Sequence, residues 1–378
     1  MSGSEQDRLL DLAAPGIRGL HPYVPGKPIE ELERELGISN TLKLASNENP
    51  LGPSPLGLAA ARAVIGNIHL YPDDQGFRLR NKLASHLGVL PAAITPGAGS
   101  SDVIDMVARG FLGPGRNAVF ARHSFAMYAI YARAIGAEGR VAEPNPADHP
   151  RMPYGHNLEA LSAQVDRDTR VVFIANPNNP TGTWVDGDAL EGFLAALPGH
   201  VIAVLDEAYT EYVDEPEFPD GLALLSRFPN LIVTRTFSKI YGLAGLRVGY
   251  GVSSPELAAV INRVRHPFNV NSLALAAAEA ALDDLGHLQR SVDTNRRGLV
   301  QLAAGFDELG LGYIPSVGNF ICVDTGRSGA EVYNALLRKG CIVRPVANYE
   351  LPRHLRVSVG RPEENQRLLS ALKEVLAA

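Results

Sequence analysis

Cysteine is nearly absent: the chain holds two, Cys322 and Cys341, with no Cys-x-x-Cys spacing and no histidines at metal-ligand intervals. A disulfide framework and a structural zinc site are therefore not indicated, and both thiols read as core residues. Long apolar runs are missing too. The richest stretch, Leu273 to Leu282, is too short and too interrupted to cross a bilayer, and the first twenty residues are acidic in part and lack a signal-peptide core. A cytoplasmic protein is expected. Nor is positive charge in excess, since 35 Lys and Arg stand against 41 Asp and Glu for a formal net charge of -6. A field of that sign repels phosphate backbones and anionic lipid, so neither nucleic acid nor a membrane is an expected partner. An anionic small molecule would have to be held by individually placed arginines.

What is present suits a folded enzyme. The 378 residues are 46% apolar and include 37 glycines, enough chain for two domains of ordinary size. From His21 to Asn49 the pattern reads as an arm: loop, short helix (Ile29 to Leu36) and strand (Thr41 to Leu44), ending in the turn-rich SNENPLGPSP. From about Pro55, helical periods alternate with β-branched runs at Ala118 to Phe120, Arg140 to Ala142, Val171 to Ala175, Val201 to Leu205, Leu231 to Thr236 and Arg247 to Val252. Such alternation predicts a mostly parallel sheet flanked by helices, with ligands outside the carboxyl ends of the strands. A helix-rich stretch from Pro255 to Leu309 follows. Beyond Gly312 a second, smaller α/β unit is expected, with strands at Phe320 to Val323, Cys341 to Pro345 and Leu355 to Val359, a helix at Gly329 to Lys339, and a last helix from Pro362. No internal repeat is visible.

Four motifs fall at expected strand ends: GAGSSD (97–102), ANPNNPTG (175–182), DEAY (206–209) and TFSKIYGLAGLRVGYG (236–251). Lys239 follows a run that reads as a buried strand, an awkward place for an ammonium without a chemical use; an ordinary surface lysine is the alternative. Asp206 ends the apolar run VIAVL, so a carboxylate is delivered at a strand tip, where it needs a cation or serves as a helix cap. Gly99, Ser100 and Ser101 precede a helical pattern (Val103 to Phe111), which turns free amides and the positive helix end toward an anion.

In this ordered set, together with HPYVPGKPIEELERELG, LASNENPLGPSP, HPFNVNSLALAA and LRVSVGRPEENQRLLSAL, the sequence resembles the fold-type I, class II aminotransferases that use pyridoxal 5'-phosphate, and in particular the histidinol-phosphate aminotransferase family. The likeness runs almost end to end. It implies an N-terminal arm and part of the small domain over 1–50, a large cofactor-binding domain over 51–260, and an interdomain helix with a small C-terminal domain over 261–378. It also implies that Lys239 tethers the cofactor and moves protons, that Asp206 pairs with the pyridinium nitrogen, and that Asn179 and Tyr209 bond the phenolic oxygen. Gly99, Ser100, Ser101, Thr236, Ser238 and Arg247 would hold the phosphate side, with Phe125 against the ring. Ala98 stands where the family often has asparagine.

By the same resemblance, Tyr71 reaches across a homodimer to the partner's cofactor, although Leu70 replaces a frequent arginine beside it. Arg356 and Arg344, with Tyr23 and Asn179, would bind the substrates, small amino and keto acids with anionic tails. Each has a plain alternative: Asn179 as a turn former, Phe125 as core, and the two arginines as strand-edge charges. The implied reaction is amino transfer between L-histidinol phosphate and 2-oxoglutarate in histidine biosynthesis. An aromatic amino acid aminotransferase remains open, as do a threonine-phosphate decarboxylase and a catalytically silent binding protein on the same fold.

Overall fold

The computed structural model describes residues 9–377. Helix α1 (Ile29–Leu36), strand β1 (Leu42–Lys43), helices α2 (Pro55–Val64) and α3 (Phe77–Leu87) and strand β2 (Ile94–Gly97) come first. There follow α4 (Ser100–Phe111), β3 (Asn117–Ala121), α5 (Met127–Ala134), β4 (Glu138–Ala142), α6 (Leu158–Gln164), β5 (Thr169–Ala175), α7 (Gly187–Ala196), β6 (Ile202–Asp206), α8 (Gly221–Leu224), β7 (Leu231–Thr236) and β8 (Gly249–Ser253). The rest comprises α9 (Pro255–Asn262), α10 (Ser272–Ala281), α11 (Leu285–Glu308), β9 (Tyr313–Ile314), β10 (Phe320–Asp324), α12 (Gly329–Arg338), β11 (Cys341–Ile342), β12 (Arg344–Pro345), β13 (His354–Ser358) and α13 (Pro362–Ala377).

The seven-stranded sheet runs β2-β8-β7-β6-β5-β3-β4. Strands β4, β3, β5, β6 and β7 are mutually parallel, whereas β8 runs antiparallel to both β7 and β2. The parallel strands are apolar on both faces because helices cover both. Val171, Phe173, Val204 and Ile232 pack on one side and Val172, Ile174, Ala203 and Val233 on the other. Burying a side chain as large as Phe173 contributes about 1.5–3 kcal/mol. The second sheet, β12-β13-β10-β9, is antiparallel, and its own core joins Leu302, Phe306, Val323, Val357, Leu368 and Leu372. The N-terminal arm belongs to this smaller unit through β1, which pairs in parallel with β11 (Leu42 opposite Cys341). Cys322 and Cys341 are both buried and free. Among the described residues no helix is long and apolar enough to cross a membrane.

Some boundaries differ from the expectation. Strand β2 is not among the runs given bounds above, although GAGSSD falls at a strand end as expected; ITPG is short and holds both proline and glycine, and the antiparallel pairing with β8 secures it. The strand expected at 41–44 shortens to Leu42–Lys43, and that expected at 341–345 divides into Cys341–Ile342 and Arg344–Pro345. The run expected from Arg247 begins only at Gly249, because Arg247 turns through the left-handed region (φ 56°) to enter the strand.

Candidate active site

The carboxyl ends of the parallel strands, the start of β8 and the arm enclose a cavity of about 260 Å³. Its lining includes Lys239, Asp206, Tyr209, Asn179, Ser100, Ser101, Phe125, Thr236, Ser238, Arg247, Tyr23, Arg344 and Arg356. One strand-to-strand loop delivers both Lys239 and Arg247. Strand β7 ends at Thr236 and β8 starts at Gly249 in the opposite direction, so the two side chains return to the same sheet edge.

Asp206 is the last residue of β6 and is buried. Tyr128 donates to its Oδ2 at 2.8 Å and Thr234 to its Oδ1 at 3.0 Å. Burial pushes its pKa up, and these two hydroxyls and the Lys239 charge oppose that rise. Tyr128 is held flat on Phe173, ring centroids 4.7 Å apart, so its hydroxyl has little freedom. Lys239 Nζ donates to the Ser46 carbonyl at 3.3 Å and lies 5.6 Å from the Tyr209 ring centre. Burial, then the Arg356 charge, bring its pKa down to about 8, with Arg247 adding to the fall and Glu48 and Asp206 opposing it.

At the other end, Gly99 (φ 91°) starts α4 without a side-chain cap, leaving the first-turn amides of Ser100 and Ser101 facing the cavity edge. Arg247 crosses to the same point, bonding the Ser238 hydroxyl at 3.3 Å and the Ala98 carbonyl at 3.3 Å. A Cβ at residue 99 would collide with that guanidinium, so the glycine is what lets the arginine approach. Thr236 donates to Ser238 at 3.0 Å, which fixes the second hydroxyl of the group.

Toward the arm, Arg356 on β13 is buried, donating to Asn179 Oδ1 at 2.5 Å and to the Ala45 carbonyl at 2.7 Å. Among the described residues, its buried Nε has no partner. Arg344 reaches the Val24 carbonyl at 2.5 Å and lies over the Tyr23 ring at 5.5 Å; Tyr23 in turn meets Phe125 edge-on at 6.5 Å. Two buried guanidiniums and one orphan donor make this end a receptor for an anionic group.

Of the residues singled out in the sequence, Tyr71 alone lies away from this chain's cavity: it is 83% exposed and stacks on Phe268 at 4.7 Å. Four others come into the site unannounced. Tyr128 and Thr234 hold Asp206, and Ser358 holds Asn47, which in turn bonds the Tyr209 hydroxyl at 2.9 Å. Asn47 lies in the quoted LASNENPLGPSP and Tyr128 three residues past Phe125, so the segments were marked; no spacing rule says which partner each finds.

The model of the family described as aminotransferase class I and II matches residues 39–372. Histidinol-phosphate aminotransferase 2 of Pseudomonas aeruginosa is 58% identical over 370 residues, covering 97% of this chain and 98% of the relative. The enzyme of the same name from Pseudomonas fluorescens is 55% identical over 379 residues, the whole of both chains. Among solved structures, the histidinol-phosphate aminotransferase of Sinorhizobium meliloti in complex with pyridoxal-5'-phosphate superposes with a TM-score of 0.87 at 31% identity, over 97% of this chain and 98% of that one. An L-threonine-O-3-phosphate decarboxylase from Porphyromonas gingivalis shares the fold at 23% identity and a TM-score of 0.78. With a family match over most of its length and full-length relatives at more than half identity, the chain belongs to the class I and II aminotransferases.

Proposed function

We propose that this protein binds pyridoxal 5'-phosphate on Lys239 and transfers an amino group reversibly between L-histidinol phosphate and 2-oxoglutarate. The observation that carries this reading is the juxtaposition, in one cavity, of an amine lowered to about 8, a buried carboxylate, an uncapped helix start with an arginine, and a second pair of arginines. The residues fit the cofactor: the free amides at Ser100 and Ser101 with Arg247 suit its phosphate, and Asp206 at the far end suits its ring N–H. The full-length relatives bear the name of the substrate.

When bound, the cofactor supplies an electron sink for the pair released as the substrate Cα–H bond breaks. The chain does the rest. Lys239 Nζ, neutral in a useful fraction near pH 8, would hold the cofactor covalently and, as a free amine, take the substrate Cα proton. Asp206, whose two oxygens accept from Tyr128 and Thr234, would hold a proton at the ring nitrogen. Tyr209 and Asn179 would donate to the phenolic oxygen, and Phe125, which lines the same cavity, would pack against the ring. Thr236, Ser238 and Arg247 close the phosphate end with Gly99 and the two serines. Arg356 and Arg344, with Tyr23, bind the phosphate of histidinol phosphate and then a carboxylate of glutamate or 2-oxoglutarate, since a guanidinium fork grips either.

Tyr71 and the apolar side chains near it, Ile68, Leu70 and Phe268, all exposed in one chain, form the face of a homodimer that sends Tyr71 to the partner's cavity. The chain divides into an arm (1–50), a large domain (51–260) and a small domain with its connecting helix (261–378), and works in the cytoplasm.

The test is a substrate panel read by cofactor absorbance. Loaded protein should change its spectrum with histidinol phosphate and with glutamate, and show a larger kcat/KM for histidinol phosphate than for phenylalanine. A preference for phenylalanine would overturn the substrate, and release of CO₂ would overturn the reaction.

A further inference from the structure

Asn47 sits in the arm with a left-handed backbone (φ 54°) and is 1% exposed. Its partners come from both units. From the smaller unit, the Ser358 hydroxyl accepts from the Asn47 backbone N–H at 2.8 Å and donates to Asn47 Oδ1 at 2.9 Å, while Asn319 donates to the Asn47 carbonyl at 3.0 Å. Toward the larger unit, Asn47 Nδ2 donates to the Tyr209 hydroxyl oxygen at 2.9 Å.

The directions of these bonds are forced. The Asn47 backbone N–H can only donate, so Ser358 must accept there, and its own proton must go elsewhere. Asn47 Oδ1 is the acceptor within its reach among the described residues; turning the amide over would leave a buried hydroxyl proton with none. The amide nitrogen therefore faces Tyr209. Because Tyr209 accepts from that nitrogen and no carbonyl or carboxylate of the described residues takes its proton, the proton is left for whatever occupies the cavity.

We propose that Asn47 is a positioning residue, the middle of a one-way relay from Ser358 through Asn47 to Tyr209 that aims the Tyr209 hydroxyl proton into the cavity. This rests on the proposed function, in which that proton meets the phenolic oxygen of the cofactor and stabilises its anionic form. The Asn47 bond also works against the burial that pushes Tyr209 up to about 12.

An Asn47→Asp variant separates the relay from a structural role. Aspartate has the same shape, tolerates a positive φ and keeps an acceptor for Ser358, but its carboxylate only accepts, so it pulls the Tyr209 proton out of the cavity. In cofactor-loaded protein without substrate, we expect the pH midpoint of the cofactor absorbance to rise by about one unit, as one hydrogen bond to a charged oxygen implies. We expect kcat to fall about tenfold with KM little changed. In a Tyr209→Phe background the same substitution should change kcat by less than about twofold, because the group it acts through is gone. Equal shifts in both backgrounds would mean that the added charge acts directly and would overturn the relay, as would no shift in either. Ser358→Ala, which frees the amide to turn, is the second arm: the midpoint should move the same way by a smaller amount, and an unmoved midpoint counts against the proposal even if Asn47→Asp fails to fold. Wild-type protein that develops no cofactor band would overturn the functional reading itself, and the relay with it.

Discussion

Lys239 enters a site whose surroundings favour its neutral form, with Arg356 and Arg247 adding like charge to the effect of burial. Its folded pKa of about 8 lies below the ordinary lysine value of 10.5. Between those two values the unfolded chain binds the extra proton, so stability of the cofactor-free protein rises with pH from about 8 to about 10.5. Below about 8 the full cost of the buried ammonium is present. Lys239→Met should therefore stabilise the cofactor-free protein at pH 7 by about 3 kcal/mol, and the gap should close as pH passes 10. Urea unfolding at pH 7 and pH 10 checks this; a gap that widens with pH would contradict the assigned sign. At this scale the sequence was legible where a chemical group stands at or just past a strand end, as with Asp206 and Lys239, whereas Arg356, in the middle of β13, was singled out by the family resemblance. It was silent on Tyr128, Thr234, Asn47 and Ser358. Asn47 and Ser358 lie 311 residues apart and Tyr128 and Asp206 lie 78 apart, and only tertiary packing chooses such partners.

Two helix starts are tied to each other. Ser54 caps α2 by accepting from Gly57 N–H at 3.2 Å and donates its proton to Asp284 at 2.6 Å; Asp284 caps α11 through His287 N–H at 3.2 Å. The carboxylate at α11 also meets the positive end of a long helix, and its pKa is lowered by its bonds to Ser54, Leu56 and His287 against the effect of burial. Ser54→Ala removes one cap and one partner of the other, so the loss should exceed that of a single cap, about 2 kcal/mol in equilibrium unfolding. Double-mutant coupling with Asp284→Asn measures the shared part. The elements themselves were read with ends mostly within a few residues, since the helical and two-residue periods are strong in a fully covered sheet. Failures fell where local signal and tertiary pairing disagree: proline and glycine in ITPG hide β2, and the continuous apolar run before Arg344 conceals the break at Val343.

For the whole molecule, the proposed pairing of two chains makes each cavity a joint product, with Lys239 from one chain and Tyr71 from the other. Lys239→Ala and Tyr71→Ala proteins should each be nearly inactive, while a reassembled equal mixture should recover up to about a quarter of wild-type turnover, since half the dimers are mixed and each has one intact cavity. Recovery near zero after proven subunit exchange would show that Tyr71 serves its own chain or none.

The reversal of β8 against β7 has a mechanical result. The loop of residues 237–248 is tied at its base, where Phe237 N–H bonds the Val248 carbonyl at 3.1 Å, and pinched again by Leu243 N–H to the Phe237 carbonyl at 3.0 Å. The amine and the guanidinium thus ride on one closed buckle. The span from tether to phosphate grip is therefore set inside the loop itself, like the two jaws of a caliper locked on a common beam.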